Sequence, residues 1–509
     1  MVVTIREWRN SFICINRIPM EVLSLIPTYL SSHNDRLRAS FVCRHWRRSF
    51  LQYNILWSEL FLSRGKSYVK TFLERAKRSM LDIFARHSDP VSTWVLLSSH
   101  TKKIRCLDFV HNESSAIQMF ADIVSGPLPL LHTLTIKNPD EGLLDSYYIV
   151  DRPSPSLFSN ATNLRVFRFH SEPQLLGHFV FPSLVSFEFS WTPQDWFSIS
   201  QLQDFLEASP MLQIVHMSII TREFLLNDPQ DRIAVLPSVE IFTLVLGDSK
   251  NASRLGYKIA AHLSCPLARS TSFVHRGDTA CDVPPRDIFP DPVAWSAIIS
   301  QYLQKPIEEV TLEITTLPSI TCKLTLRSSD AKTIELCFKT YIHDESNHSF
   351  EPPTTRMHNG VFSQAVRTIR DHPQRENIKR LRICHSFRCA GLAYVPYIAN
   401  EVRKLFSSLS CLDELTIYHC NLQPYIFPFL DEEEGYIDEL FPPIKEFKIF
   451  YPTCLTEGEC STIVKVARSQ HVLKQPFERV VIRGENVPEW MEEDLAPWVG
   501  KVESFHESD

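Results

Sequence analysis

LPLLHTLTI at residues 128–136, FPSLVSFEF at 181–189 and LPSVEIFTL at 236–244 share one line of spacing. In each, a proline stands two residues before an apolar residue, and apolar residues recur three and five positions further on. Positions one, four and six of the line are therefore apolar. Alternation at the last two puts both side chains on one face of a short strand. A proline ahead of position one ends the preceding segment and sets the chain extended as it comes into the strand; Pro210 and Pro442 stand in the same place. The line returns as IRCLDF from Ile104, LRVFRF from Leu164, LQIVHM from Leu212, IEEVTL from Ile307, IKRLRI from Ile378, LDELTI from Leu412, IKEFKI from Ile444 and FERVVI from Phe477. Adjacent copies mostly lie 27 to 34 residues apart, with 20 between Leu164 and Leu184. Wider gaps after Val239 and Ile307 leave room for degenerate copies such as TIELCF from Thr333.

A unit of this length cannot bury its own apolar face, whereas stacking joins neighbouring faces into one core. The line resembles leucine-rich repeats, down to the cysteine that closes LDELTIYHC at Cys420. That resemblance implies an irregular α/β solenoid over residues 95–490, with strands lining a concave face that holds a client protein. An ordinary α/β domain whose strands share a consensus fits the same residues. Residues 61–94 read as a helical bridge into the array, with Phe72, Ala76, Met80 and Phe84 as its apolar stripe, and residues 491–509 as an acidic C-terminal tail.

Ahead of the bridge the spacing changes. INRIPMEVLSLIPTYLSSHNDRLRASFVCRHWRRSF, residues 15–50, reads as three short helices. Pro19 suits a first helical turn, and Val22, Leu23, Ile26 and Leu30 then recur at helical spacing as one face. Pro27 removes a backbone hydrogen bond and should kink this helix. Asn34 or Asp35 can cap a second helix carrying Leu37, Ala39, Phe41 and Val42, and a third carries Trp46, Phe50 and Tyr53. Helices this short need the following chain or a partner to be stable.

The ordered features Ile18-Pro19, Glu21-Val22-Leu23, Ile26, Tyr29-Leu30, Leu37-Arg38-Ala39-Ser40, Val42-Cys43-Arg44-His45-Trp46 and Leu56-Trp57 resemble the F-box domain, in the divergent form found in fungal proteins with repeat-like C-terminal regions. The resemblance covers residues 13–60. It implies an α+β protein, a three-helix F-box-like module followed by the solenoid. The implied function is that of an adaptor that binds a Skp1-type linker, and through it a cullin, and presents a client for ubiquitination. Carried across, Ile18, Pro19, Val22, Leu23, Ile26 and Leu30 form the first part of the linker-binding surface, and Leu37, Val42 and Trp46 the later docking and core positions. The same apolar residues could also merely close a small helical cap on the array.

Charge agrees with such a partner. The chain carries a formal net charge of -6, yet Met1 to Arg78 holds 14 Lys or Arg against 5 Asp or Glu. An acidic region behind a basic module argues against a general nucleic-acid binder and for an acidic protein partner, with Arg36, Arg38, Arg44, Arg47 and Arg48 as candidate helpers. No run of apolar residues has membrane-spanning length, the N-terminus lacks a signal-peptide core, and the 13 cysteines are scattered without a C-x-x-C pair. We therefore expect an intracellular chain, in cytoplasm or nucleus, with reduced thiols, no membrane and no nucleic-acid partner. No phosphate loop, zincin motif or nucleophile elbow occurs, so neither an enzyme nor a cofactor or metal site is expected. Three weaker features remain: an acidic run from Asp431 to Glu439, the cluster Cys384, His385 and Cys389, and Trp94, Trp191, Trp196 and Trp295 as candidates for a client groove. A repeat scaffold outside ubiquitination, and an α/β enzyme or ligand-binding protein, are the competing functions.

Overall fold

A computed structural model describes residues 18–138, 158–219, 232–278, 298–341, 365–386, 396–418, 442–484 and 487–506, with short gaps inside several of these stretches. The acidic run at 431–439, Cys389, Cys420, Trp196 and Trp295 lie outside the described residues, as do Tyr53 and the side chain of Trp191. Two compact units are present, Met1–Leu212 and Gln213–Asp509.

Each copy of the repeating line forms a strand. In the first unit these are β3 (Ile104–Val110), β4 (Thr133–Lys137), β5 (Val166–His170) and β6 (Ser186–Trp191). They pair in parallel and in chain order, preceded by β1 (Glu59–Phe61) and β2 (Leu81–Arg86). Every residue at positions one, four and six, from Ile104 to Ile482, is at most 1% exposed. Phenylalanine fills many of these places. Phe167, Phe187 and Phe205 pack with centroids 4.7 to 5.9 Å apart, a spacing at which aromatic pairs add attraction beyond their buried area.

The second unit starts in the same way, with β7 (Ile214–Ile219), β8 (Ile241–Leu246) and β9 (Ser270–Asp278) in parallel order. Next come β10 (Ile307–Thr315), β11 (Ser319–Ser328) and β12 (Thr333–Tyr341), an antiparallel meander. It is inserted in reverse, because β12 pairs with β9 and β10 with the following β13 (Arg380–Ser386). TIELCF is thus a strand of a meander rather than one more serial unit. Parallel order resumes through β13, β14 (Glu414–Tyr418), β15 (Glu446–Phe450), β16 (Arg479–Gly484) and β17 (Val502–His506).

Two segment readings need correction. Residues 61–94 hold a helix, Lys66–Ala76, whose Phe72 and Ala76 are buried, but Met80 and Phe84 lie beyond it and are exposed. LDIFAR alternates with Leu81, Ile83 and Ala85 inward, so it forms strand β2. Residues 491–509 are not simply a tail. The helix Glu489–Leu495 buries Met491 and Leu495, and β17 pairs with β16 despite its acidic sequence, because Glu503 meets Arg479 at 2.5 Å. Trp94 is fully buried against Phe109 and Phe120, so it belongs to the core rather than to a groove.

Candidate partner-docking surface

Among the described residues the N-terminal segment forms four short helices where three were expected: α1 (Met20–Leu23), α2 (Ile26–Tyr29), α3 (His33–Ala39) and α4 (Arg44–Gln52). The first expected helix is split, with Pro27 in the opening turn of α2, where its missing N–H costs little. The path stays nearly helical across the break, since Leu25 N donates to Val22 O at 3.1 Å. Side chains three and four residues apart therefore share a face. Leu23 is fully buried and Ile26 and Leu30 half-buried, while Val22, Leu25 and Tyr29 are 49%, 52% and 85% exposed. Val22 thus departs from the face assigned to it: an inner row of Leu23, Ile26 and Leu30 lies behind an outer row of Val22, Leu25 and Tyr29.

The second expected helix ends sooner than its apolar residues suggest. Beyond Ala39, Phe41 N donates to Arg38 O at 2.9 Å and Val42 N to Ala39 O at 3.3 Å, closing a turn rather than continuing the helix. Ser40 contributes by donating its hydroxyl to Leu37 O at 2.6 Å, a local bond of the kind that lets serine compete with helix continuation. Phe41 and Val42 are left 67% and 61% exposed. A ring nitrogen of His45 lies 3.4 Å from Ile18 O, which holds the start of α4 against the lead into α1. Trp46 and Phe50 stack at 5.6 Å and are buried under these helices.

Of the residues singled out in the sequence, Pro19, Val22 and Val42 are exposed, Ile18, Ile26, Leu30 and Leu37 half-buried, and Leu23 and Trp46 core. Leu25, Tyr29 and Phe41 were missed. Leu25 and Tyr29 could have been found three and seven residues after Val22; Phe41 required knowing where the helix ends.

The arginines divide by role. Arg36 is structural: its Nε donates to Leu30 O at 2.9 Å and its guanidinium meets Glu59 at 2.6 Å, tying α2 to β1. Arg38 pairs with Asp35 of its own helix at 3.3 Å. Arg44, Arg47 and Arg48 are exposed and, with Leu51 and Gln52, line a shallow concavity of about 380 Å³. Arg47 also lies 5.4 Å over the Phe41 ring, within range of a cation–π contact. The module is anchored below through Trp57, which packs edge-on to Phe72 at 4.7 Å beneath the guanidinium of Arg75.

A segment with an apolar outer row, a buried tryptophan and a basic helix matches a known family. Residues 15–63 match the F-box-like family model. The chain carries an F-box-like domain. F-box proteins are in general non-catalytic adaptors, and F-box domains typically bind a Skp1-type protein. No curated protein matches the chain. Among the described residues no helix is long and apolar enough to cross a membrane, and no group of His, Cys, Asp and Glu is placed to hold a metal ion.

Proposed function

We propose that the chain is the substrate-recognition adaptor of a Skp1-cullin-F-box type ubiquitin ligase, in the divergent fungal style, working inside the cell in cytoplasm or nucleus. The observation that carries this reading is the apolar set Val22, Leu25, Tyr29, Phe41 and Val42, exposed within the residues that match the F-box-like model. Exposed clusters of large apolar side chains mark interaction sites, and aromatic members are the usual anchors once a partner covers them. Leu23, Ile26, Leu37 and Trp46 then support this surface from beneath, Ile18, Pro19 and Leu30 frame it, and Arg44, Arg47 and Arg48 draw in an acidic linker. The serial parallel strands beyond the domain support a leucine-rich-repeat-like solenoid, interrupted by the β10–β12 meander, that carries the client. Catalysis belongs to the partners; the adaptor contributes proximity by raising the effective concentration of the client.

The test is a binding titration of the full-length chain with a Skp1-type linker, beside a variant carrying Val22→Asp and Leu25→Asp. Wild type should bind and the variant should lose at least about tenfold in affinity, since each change places a charge in an apolar contact. Absence of wild-type binding defeats the proposal. A repeat scaffold outside ubiquitination would bind the linker equally well but support no client-dependent ubiquitin transfer in a reconstituted ligase.

A further inference from the structure

The registers of β10 and β13 to β17 align three rows of side chains on the sheet face opposite the buried positions. The first row is Glu309, Arg380, Glu414, Glu446 and Arg479, and the second is Thr311, Arg382, Thr416, Lys448, Val481 and Glu503. Their charges cancel in place. Glu309 meets Arg382 at 3.2 Å and Arg380 at 3.5 Å, Lys448 meets Glu446 at 2.8 Å and Glu414 at 3.0 Å, and Arg479 meets Glu503 at 2.5 Å.

The third row, toward the C-terminal ends of the strands, differs in kind: Glu313, Cys384, Tyr418, Phe450, Arg483 and Phe505. Tyr418 and Phe450 stack at 4.6 Å and 12°. Arg483 is exposed and has no ion-pair partner among the described residues, and Phe505 beyond it is 50% exposed. Strands lie about 4.8 Å apart, which puts Glu313 four strands from Arg483, too far to neutralise it. Every other cation on β13 to β17 is paired.

The geometry points to this row as a docking site for an extended acidic peptide segment in which a carboxylate is flanked by aromatic or branched apolar residues. The carboxylate pairs with Arg483, and the apolar neighbours rest on Tyr418 and Phe450 to one side and on Phe505 to the other. Charge complementarity selects this occupant. A guanidinium with no ion-pair partner among the described residues, set between aromatic neighbours in its row, accepts one carboxylate with good geometry. A nucleic-acid strand needs a run of cations along its backbone, and here five carboxylates, those of Glu309, Glu313, Glu414, Glu446 and Glu503, share the face. The inference rests on the adaptor reading only in treating the bound segment as part of the client.

The experiment selects peptides from a random dodecapeptide library on the full-length chain, without linker, and measures the winners by fluorescence anisotropy. Selected sequences should pair Asp or Glu with Phe, Tyr, Trp or Leu, and affinity should fall about tenfold for Arg483→Glu and less for Arg483→Gln and Phe505→Ala. The far-ultraviolet circular dichroism spectrum and thermal midpoint of Arg483→Glu should equal those of wild type, which shows that the variant is folded without reference to the linker, because an exposed side chain with no ion-pair partner among the described residues is replaced. Selection of basic sequences, equal binding by wild type and Arg483→Glu, or no selection at all overturns the inference. So does tighter binding of a phosphoserine version of the selected peptide or of oligothymidine, either of which names a different occupant. Because no linker enters the peptide measurement, either reading can fail while the other stands.

Discussion

At the residue scale, neighbouring apolar positions carry different duties. Leu23 fills the interior of the F-box-like domain and Val22 faces outward beside it. Leu23→Ala should therefore cost about 2–5 kcal/mol of stability, as deletions of buried leucine side chains do. Val22→Ala should leave stability within roughly 0.5 kcal/mol, as surface changes do, and weaken linker binding. Chemical denaturation beside a binding titration reads both. A second residue-scale prediction concerns His275, buried on β9 and hydrogen-bonded to Tyr257 of the helix Lys250–Ala261. Burial pushes its pKa down to about 3, so the folded ring is neutral while the unfolded one titrates near its ordinary value of about 6.5. The unfolded chain therefore binds more protons between these values, and stability present above the unfolded pKa is lost as pH falls toward 3. The loss is on the order of 1.4 kcal/mol per pH unit inside that window. His275→Gln should flatten this dependence in unfolding curves taken at pH 7 and pH 5; an unchanged slope would remove His275 as its cause.

At the scale of elements, the spacing of apolar residues was the most legible feature of the chain. Each copy of the line became a strand, because alternation over a buried face has one register that keeps the polar residues out. β9, with STSFVHRGD, and β17, with VESFH, were missed because polar and acidic residues dominate them; their places are fixed by pairing with neighbours rather than by their own pattern. The reversal of β10 to β12 was not legible, since antiparallel and parallel strands share the same alternation and differ only in partners. In the F-box-like domain the resemblance named the segment correctly but not its faces. Helical spacing groups Val22 with Leu25 and Tyr29, but which row faces inward depends on the packing of α1 against α4. Helix starts offer a sharper test. The helix Glu457–Val472 begins with a capping box, in which Glu459 N donates to the Thr456 hydroxyl at 3.3 Å and Thr456 N to the Glu459 carboxylate at 2.9 Å. Thr456→Ala should lower stability by about 1 kcal/mol, read from the denaturation midpoint; no change would mean that the cap contributes nothing in this context.

At the scale of the whole molecule, charge separates the two tasks. The basic N-terminal segment, with 14 Lys or Arg against 5 Asp or Glu up to Arg78, belongs to a chain of net charge -6. Steering by exposed charges acts on association rate and is screened by salt over roughly 10 Å at 0.1 M. Linker association should thus slow by about tenfold between low and moderate ionic strength, with dissociation nearly constant. Stopped-flow mixing checks this, and a salt-independent rate would assign the arginines of α4 no part in the encounter. Hydrogen–deuterium exchange of the full-length chain with and without a Skp1-type linker tests the central claim most directly. The account predicts new protection confined to the F-box-like domain, across α1, α2 and the Phe41–Val42 turn, with exchange in strands β3 to β17 unchanged. Protection in the strands alone, or none anywhere at saturating linker, would contradict it.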